Sequence, residues 1–266
     1  MNLGVAQALA LVAHGDAWLR AAHDAAPPSP CSTVPALARQ PSPRFAPTRG
    51  GGPIARAEGP WYRRLRDRGA TRLRLTTAPW PTRRAAATGA PAGDSRPVPK
   101  EGAALLVTYP DRRELWIPTW RWRPAARGRM AVRWAVTYKG QPGDTPPRVP
   151  DVPVPAASAA LGATLAATLR DLRAIGDERL TPPLEEAQEY LCAASPPPCP
   201  RPDLLPASGY GDGAWRLLAA AATILHAGDD PRPWPAGAWE FYEETSELLH
   251  AAAFSALVVA TNAGSE

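Results

Sequence analysis

Residues 103–138, AALLVTYPDRRELWIPTWRWRPAARGRMAVRWAVTY, decide the fold of the front half of the chain. Three runs in this stretch alternate side chains with the period of two that is typical of β-strands: Ala103–Tyr109, Leu115–Trp122 and Met130–Tyr138. A turn-type segment, Pro110–Arg113, separates the first two runs, and a loop around Pro124–Gly128 separates the last two. Connections this short favour an antiparallel meander.

The same alternation occurs earlier in the chain, at Thr71–Thr77, where leucines alternate with arginines. We therefore expect an antiparallel sheet of about four strands. A helical pattern over Leu3–Ala22 and a shorter one over Trp61–Arg68 place one or two helices beside this sheet. In the Leu115–Trp122 run, alternation separates two sets of side chains: Trp116, Trp120 and Trp122 on one face, and Leu115, Ile117, Arg121 and Arg123 on the other.

The hydrophobic period changes from two to about 3.6 in the back half of the chain. Four segments there have the pattern of helices: Ala157–Ile175, Pro183–Cys192, Gly213–Ala227 and Gly237–Asn262. Four helices joined by short or proline-rich connections indicate a helical bundle. The predicted fold class is α+β, with an N-terminal antiparallel sheet and flanking helices followed by a C-terminal four-helix bundle.

Proline punctuates the chain, with 34 prolines in 266 residues. Proline is poorly tolerated inside helices and central strands, so this excess predicts loops and linkers. The richest segments are residues 27–60 and 78–100, which we interpret as long loops, and residues 140–156, which we interpret as a linker. The predicted domains are a basic α+β domain over 1–139 and an acidic helical domain over 157–266.

Charge is divided unevenly between these domains. Residues 44–139 contain 21 Lys or Arg and 6 Asp or Glu, whereas residues 140–266 contain 7 Arg and 17 Asp or Glu. Such asymmetry is informative about association and not about fold. The hypothesis that requires least is a non-catalytic interaction protein whose basic sheet half and acidic helical half engage each other or a protein partner.

A second hypothesis is that the basic half binds nucleic acid, because arginine contacts phosphates and tryptophan stacks on bases. Residues 116–123, WIPTWRWR, interleave the two residue types. No motif of a known nucleic-acid-binding module accompanies them, and tryptophan at alternate strand positions is more often core. The residues of this hypothesis are Arg63, Arg64, Arg72, Arg74, Trp120, Arg121, Trp122, Arg123 and Arg133.

A third hypothesis is an enzyme with a site between the two parts, built from Glu243, Glu247, His250 or His14. Glu247 and His250 have the spacing of a di-iron ligand pair, but such sites need a second copy, which the sequence lacks. No constellation supports a mechanism, so we lean against an enzyme and expect no cofactor and no metal.

The three cysteines and the hydropathy pattern limit the cellular setting. An odd, low cysteine count argues against a secreted disulfide scaffold. A signal peptide has Lys or Arg before its apolar run, and the N-terminal apolar run of this chain has neither. The longest apolar run, Ala251–Ala260, is shorter than a membrane helix requires. We therefore expect a cytoplasmic protein without a membrane partner.

Overall fold

The computed structural model describes residues 3–21, 25–38, 42–47, 52–77, 87–88, 103–123, 133–142, 151–195, 197, 204–205, 210–227 and 239–263. The chain divides into two compact units. The front unit comprises Leu3–Val149 together with Asp203–Pro206. The helical unit comprises Met1–Asn2, Pro150–Pro202 and Ala207–Glu266.

The front unit combines four helices and six strands in its described part. The helices are α1 (Leu3–Arg20), α2 (Pro30–Thr33), α3 (Pro35–Ala38) and α4 (Glu58–Asp67). The strands are β1 (Arg44–Pro47), β2 (Arg72–Thr77), β3 (Ala87–Thr88), β4 (Ala103–Thr108), β5 (Arg113–Arg123) and β6 (Arg133–Pro142).

The strands form one sheet in the order β1-β6-β5-β4-β2, with β3 pairing with β5. The pairs β2–β4, β4–β5 and β5–β6 are antiparallel, which confirms the predicted meander. However, β1 is parallel to β6 and β3 is parallel to β5, so the sheet is mixed and not wholly antiparallel. Both parallel strands are only two to four residues long, too short for alternation to reveal them.

Residues 27–60, expected to form a long loop, contain α2, α3, β1 and the start of α4. The predicted linker 140–156 overlaps both neighbouring elements. The strand β6 extends to Pro142, and the next helix begins at Val154. Within the predicted loop 78–100, only β3 belongs to the described residues.

Large aromatic side chains fill one face of the sheet. Phe45 lies between two neighbours, with ring centroids 4.1 Å from Trp61 and 5.5 Å from Tyr138, both in stacked geometry. Trp116 packs edge-on against Trp61 at 5.5 Å. Because these rings come from β1, α4, β5 and β6, the cluster ties together segments that are far apart in sequence.

Both edges of the sheet are covered. At the β1 edge, Phe45 forms an isolated antiparallel bridge with Ala55. At the β2 edge, the Leu73 N–H donates to Asp16 Oδ1 on α1 at 2.7 Å. The helix comes this near because Gly15 has no side chain: a Cβ there would lie 2.5 Å from Tyr62 Cε1 and 2.8 Å from Leu73 Cδ2. These contacts satisfy edge groups that could otherwise pair with another chain.

The helical unit contains the four predicted helices, α5 (Val154–Ala174), α6 (Thr181–Cys192), α7 (Asp212–Ala227) and α8 (Trp239–Ala263). Each buries an apolar stripe, as in α5, where Leu161, Leu165, Leu169 and Leu172 are buried. Along α7 and α8 the stripe is rich in alanine, which allows these helices to pack closely. None of the described helices has the length and apolarity to cross a membrane.

Candidate anion-binding site

The registers of the sheet place five basic side chains on one face, here called the basic face: Arg44, Arg72, Arg74, Arg113 and Lys139. Arg72 and Arg113 are both aligned with Thr108, and Lys139 is aligned with Ile117. Side chains directly opposite one another in a sheet lie on the same face. The aromatic cluster around Phe45 occupies the other face.

The centre of the basic face is apolar and its rim is cationic. Ala104, Leu115 and Ile117 form a buried cluster at the centre. Around them, Arg44, Arg113 and Lys139 are exposed, while Arg72 and Arg74 are half-buried. Because the three apolar side chains are already buried, the accessible part of this face is its cationic rim.

Three of the rim cations make no contact with an acidic group in the part of the chain that the structure describes. Arg44, Arg113 and Lys139 have no hydrogen-bond or ion-pair partner among the described residues. The same holds for Arg63 and Arg64 on α4, which are exposed because the helix buries Trp61, Tyr62 and Leu65 on its other side. Within the described residues, these five cations are thus exposed and without an acidic partner.

Other arginines of the front unit are engaged internally. The Arg68 guanidinium donates to Glu114, whose carboxylate also accepts the Tyr109 hydroxyl at 3.0 Å. Arg112 lies 4.1 Å above the Tyr109 ring and 3.0 Å from Asp111. Burial, followed by the charge of Glu114, raises the pKa of Tyr109 well above its usual range. This cluster at the β4–β5 turn is self-neutralising.

Asp16 on α1 organises a second group of arginines. Its carboxylate accepts the Leu73 N–H and pairs with Arg20 at 3.2 Å and Arg72 at 3.4 Å. Burial raises the pKa of Asp16, and the Leu73 hydrogen bond and the charges of Arg72, Arg20 and Arg74 act in the opposite direction. Arg72 Nη2 and Arg74 Nε are buried and have no hydrogen-bond partner within the described structure.

The tryptophans do not share a face with these arginines. Trp116 and Trp120 are each 2 % exposed, so neither ring is accessible to a base in this structure. Trp120, a residue of the nucleic-acid hypothesis, is therefore part of the core in this structure. The backbone register aligns Arg121 with Ala135, Trp122 with Trp134 and Arg123 with Arg133, and the side chains of these predicted site residues lie outside the described part of the structure.

A buried acid, which the sequence did not reveal, lies in the front unit. Glu58, at the start of α4, is 1 % exposed, and its Oε1 accepts the Cys31 N–H at 3.1 Å. Burial raises the pKa of Glu58. Burial, and then the charge of Glu58, also raise the pKa of Cys31, which keeps the thiol protonated. A protonated, buried thiol is unsuited to nucleophilic catalysis.

The residues of the enzyme hypothesis lie on helices of both units. Glu247 is exposed and His250 half-buried on α8, and His14 is half-buried on α1 in the other unit. The Glu243 side chain lies outside the described residues. Burial lowers the pKa of His14. Within the described chain, no three His, Cys, Asp or Glu side chains are grouped so that they could hold a metal ion.

The surface of the helical unit has the opposite charge. Its exposed acidic side chains in the described ranges are Asp151, Asp171, Glu178, Glu186, Glu189, Asp212, Glu244 and Glu247. Its exposed arginines there are Arg170 and Arg173, and Arg173 pairs with Glu185 at 2.6 Å. Within the described residues, exposed side chains carry much of the charge asymmetry of the sequence.

No family model, curated protein or solved structure matches this chain.

Proposed function

We propose that this chain is a non-catalytic interaction protein that binds an acidic protein surface through the unpaired cations of the basic face and of α4. The observation that supports this most is the sheet register, which collects Arg44, Arg113 and Lys139 on one face, exposed and without partners among the described residues. Unpaired surface cations attract acidic partners and accelerate encounter more than they stabilise a fold.

A protein partner is favoured over nucleic acid by the position of the tryptophans. Binding of single-stranded nucleic acid combines phosphate contacts with aromatic stacking. Here Trp116 and Trp120 are buried on the face opposite the arginines, so the two contributions cannot be made to one strand.

The proposal places the chain in the cytoplasm. Cys31 and Cys192 are free thiols. Such thiols persist where glutathione and thioredoxin keep the compartment reducing.

The test is fluorescence anisotropy of the full chain with a labelled oligoglutamate peptide and with single- and double-stranded DNA of matched charge. Titrations at about 50 and about 200 mM salt report how many charges are neutralised. The test variant is Arg113→Gln with Lys139→Gln, which removes two unpaired cations. Its matched control is Arg170→Gln with Arg173→Gln, which removes two exposed arginines from the helical unit.

We expect the wild-type chain to bind the acidic peptide and the test variant to bind it about two- to thirtyfold more weakly, since exposed ion pairs contribute about 0.2–1 kcal/mol each. The control variant should bind like wild type. Tighter binding to DNA than to the peptide, with a steeper salt dependence, would instead support the nucleic-acid hypothesis. Absence of binding to either probe at low salt would contradict both.

A further inference from the structure

One side of α8 is exposed and acidic. Glu244, Glu247 and Leu248 are all exposed, at the i, i+3 and i+4 spacing that makes side chains neighbours on a helix surface. Leu248 is 62 % exposed, the largest fraction among the large hydrophobic side chains that the structure describes. Neither glutamate has a hydrogen-bond or ion-pair partner among the described residues. These three residues, here called the α8 strip, therefore present two unpaired negative charges beside an exposed apolar side chain.

The basic face carries a complementary patch at the β1–β6 pair. Arg44 is aligned with Thr137, and Lys139, two residues further along β6, is aligned with Ala46. The two exposed cations thus lie diagonally across the strand pair, and neither has a partner in the described part of the chain. Ala46 and Thr137 are half-buried, so part of each small side chain remains accessible between the charges. These four residues are called the Arg44–Lys139 patch below.

The charge spacings of the two surfaces agree. Adjacent strands lie about 4.8 Å apart and rise about 3.3 Å per residue, so diagonal neighbours two residues apart are separated by about 8 Å. Residues three apart on a helix are separated by about 5–6 Å. Arginine, lysine and glutamate have long side chains that span this difference. Both ion pairs can therefore form at once, with the leucine lying over the small side chains between them.

We infer that the α8 strip of one copy of this chain docks on the Arg44–Lys139 patch of a second copy. The inference rests on the proposed function, because it identifies the acidic protein surface as that of another copy. Charge complementarity is the reason for this choice, since every copy carries both an unpaired acidic strip and an unpaired cationic patch. Such complementarity steers the encounter and fixes the register of the contact, and salt weakens it.

The experiment is sedimentation velocity of the full chain from about 1 to about 100 µM, at about 50 and about 300 mM salt. Two variants reverse the charges of one surface each. The patch variant is Arg44→Glu with Lys139→Glu, and the strip variant is Glu244→Lys with Glu247→Lys. Each is measured alone and in an equimolar mixture with the other.

We expect the wild-type chain to self-associate with increasing concentration at low salt and to dissociate at high salt. Each variant alone should associate at least about tenfold more weakly, because like charges then face each other. The equimolar mixture should associate like wild type, since the reversed patch meets the reversed strip and the unchanged patch meets the unchanged strip. Recovery in the mixture requires contact between two chains, which a contact within one chain would not produce.

The matched control is Asp171→Lys with Glu189→Lys, at exposed positions of α5 and α6. It changes the net charge by the same amount as the strip variant, but it leaves the α8 strip intact. We expect it to self-associate like wild type. An equal loss of association in the control would assign the effect to net charge and would overturn the inference.

Two further results would overturn the inference: a wild-type chain that stays monomeric throughout, and a mixture of the variants that stays monomeric. If the monomeric chain still binds oligoglutamate, only this inference fails, and if it binds neither, the proposed function fails as well. Circular dichroism checks that the variants are folded. Should one be unfolded, competition replaces it: saturating oligoglutamate should dissociate the wild-type assembly, and an assembly that persists would contradict docking on the patch.

Discussion

The front unit and the helical unit build their cores in different ways. The front unit relies on a few large rings, such as Phe45, Trp61 and Tyr138, that meet across long sequence separations. The helical unit relies on many small contacts, with stripes of leucine and alanine along neighbouring helices. A single substitution should therefore cost much more in the front unit, where one side chain makes many of the contacts.

The largest expected effect is that of removing a central ring. Trp61→Ala should lower the free energy of unfolding of the front unit by about 3–5 kcal/mol, because the ring is fully buried and stacks on Phe45. The comparison variant is Ala221→Gly in α7, which should cost about 1 kcal/mol through helix propensity. Both are measured by urea unfolding. Equal losses in the two variants would contradict the contrast between the units.

Replacing glycine by alanine should lower the stability at one helical position and raise it at another. Gly15→Ala should destabilise the front unit by about 1–3 kcal/mol, since the new methyl group would collide with Tyr62 and Leu73. Gly162→Ala in α5 would meet only Leu191 Cδ1, at 3.8 Å, and should stabilise the helical unit by about 0.5–1 kcal/mol. Thermal unfolding of both variants provides the measurement. If both substitutions stabilise, the close approach of α1 to the sheet is not rigid.

The helical unit has one polar contact that should matter. The Tyr242 hydroxyl donates to Asp177 Oδ2 at 2.7 Å, and Asp177 Oδ1 accepts the N–H groups of Arg179 and Leu180. Tyr242→Phe should cost about 1.5–3 kcal/mol, the range for a hydrogen bond to a charged group. Tyr190→Phe, which removes an exposed hydroxyl contact with Glu186 on α6, is the control and should cost little.

The pH dependence of the same contact gives a second measurement. Hydrogen bonds, first from Tyr242, lower the pKa of Asp177 against the opposing effect of burial. The stability that they contribute is therefore present above the unfolded pKa of 3.8 and is lost as the pH falls through the folded pKa. Burial, and then Asp177, raise the pKa of Tyr242 to about 12, so its contribution is lost as the pH rises from 10 towards 12. Tyr242→Phe should reduce both dependences, and unchanged profiles would contradict the role of this bond.

The smallest expected effect is the pH dependence that Glu58 gives to the stability of the front unit. Burial raises the pKa of Glu58 above 4.5, so its contribution to stability is present below that pH and is lost as the pH rises through the folded value. Glu58→Gln removes this dependence, and we expect the variant to gain stability relative to wild type between about pH 4 and about pH 8. Urea unfolding at both values provides the measurement. An identical difference at both pH values would show that Glu58 does not titrate in this range.

The sequence predicted those parts of the fold that repeat locally. The helices and the antiparallel strands follow from periods that extend over six or more residues, as in Arg72–Thr77. The parallel strand β1 has only four residues, the last of them Pro47, so its pairing with β6 follows only from the tertiary structure. Similarly, 57 residues separate Asp16 from Leu73 and 27 separate Glu58 from Cys31, and no local pattern encodes such contacts.

The basic face could be predicted only in part. Strand alternation placed Arg72 and Arg74 together, but the alignment of Arg113 and Lys139 with them depends on the register of three strand pairs. One signal for Asp16 was present, because it is an acid within a helix that is otherwise largely apolar. Its hydrogen bond to the edge strand could be recognised only from the structure, in which β2 lies beside α1.

The pairing of β1 with β6 has a consequence for synthesis in the cell. Phe45 is translated 93 residues before Tyr138, the ring on which it stacks. At roughly 5–20 residues per second, it leaves the ribosome roughly 5 to 20 s before its partner. During that interval Phe45 and Trp61 lack the strand that packs against them in the folded chain, so the nascent chain exposes apolar surface of the kind that promotes aggregation.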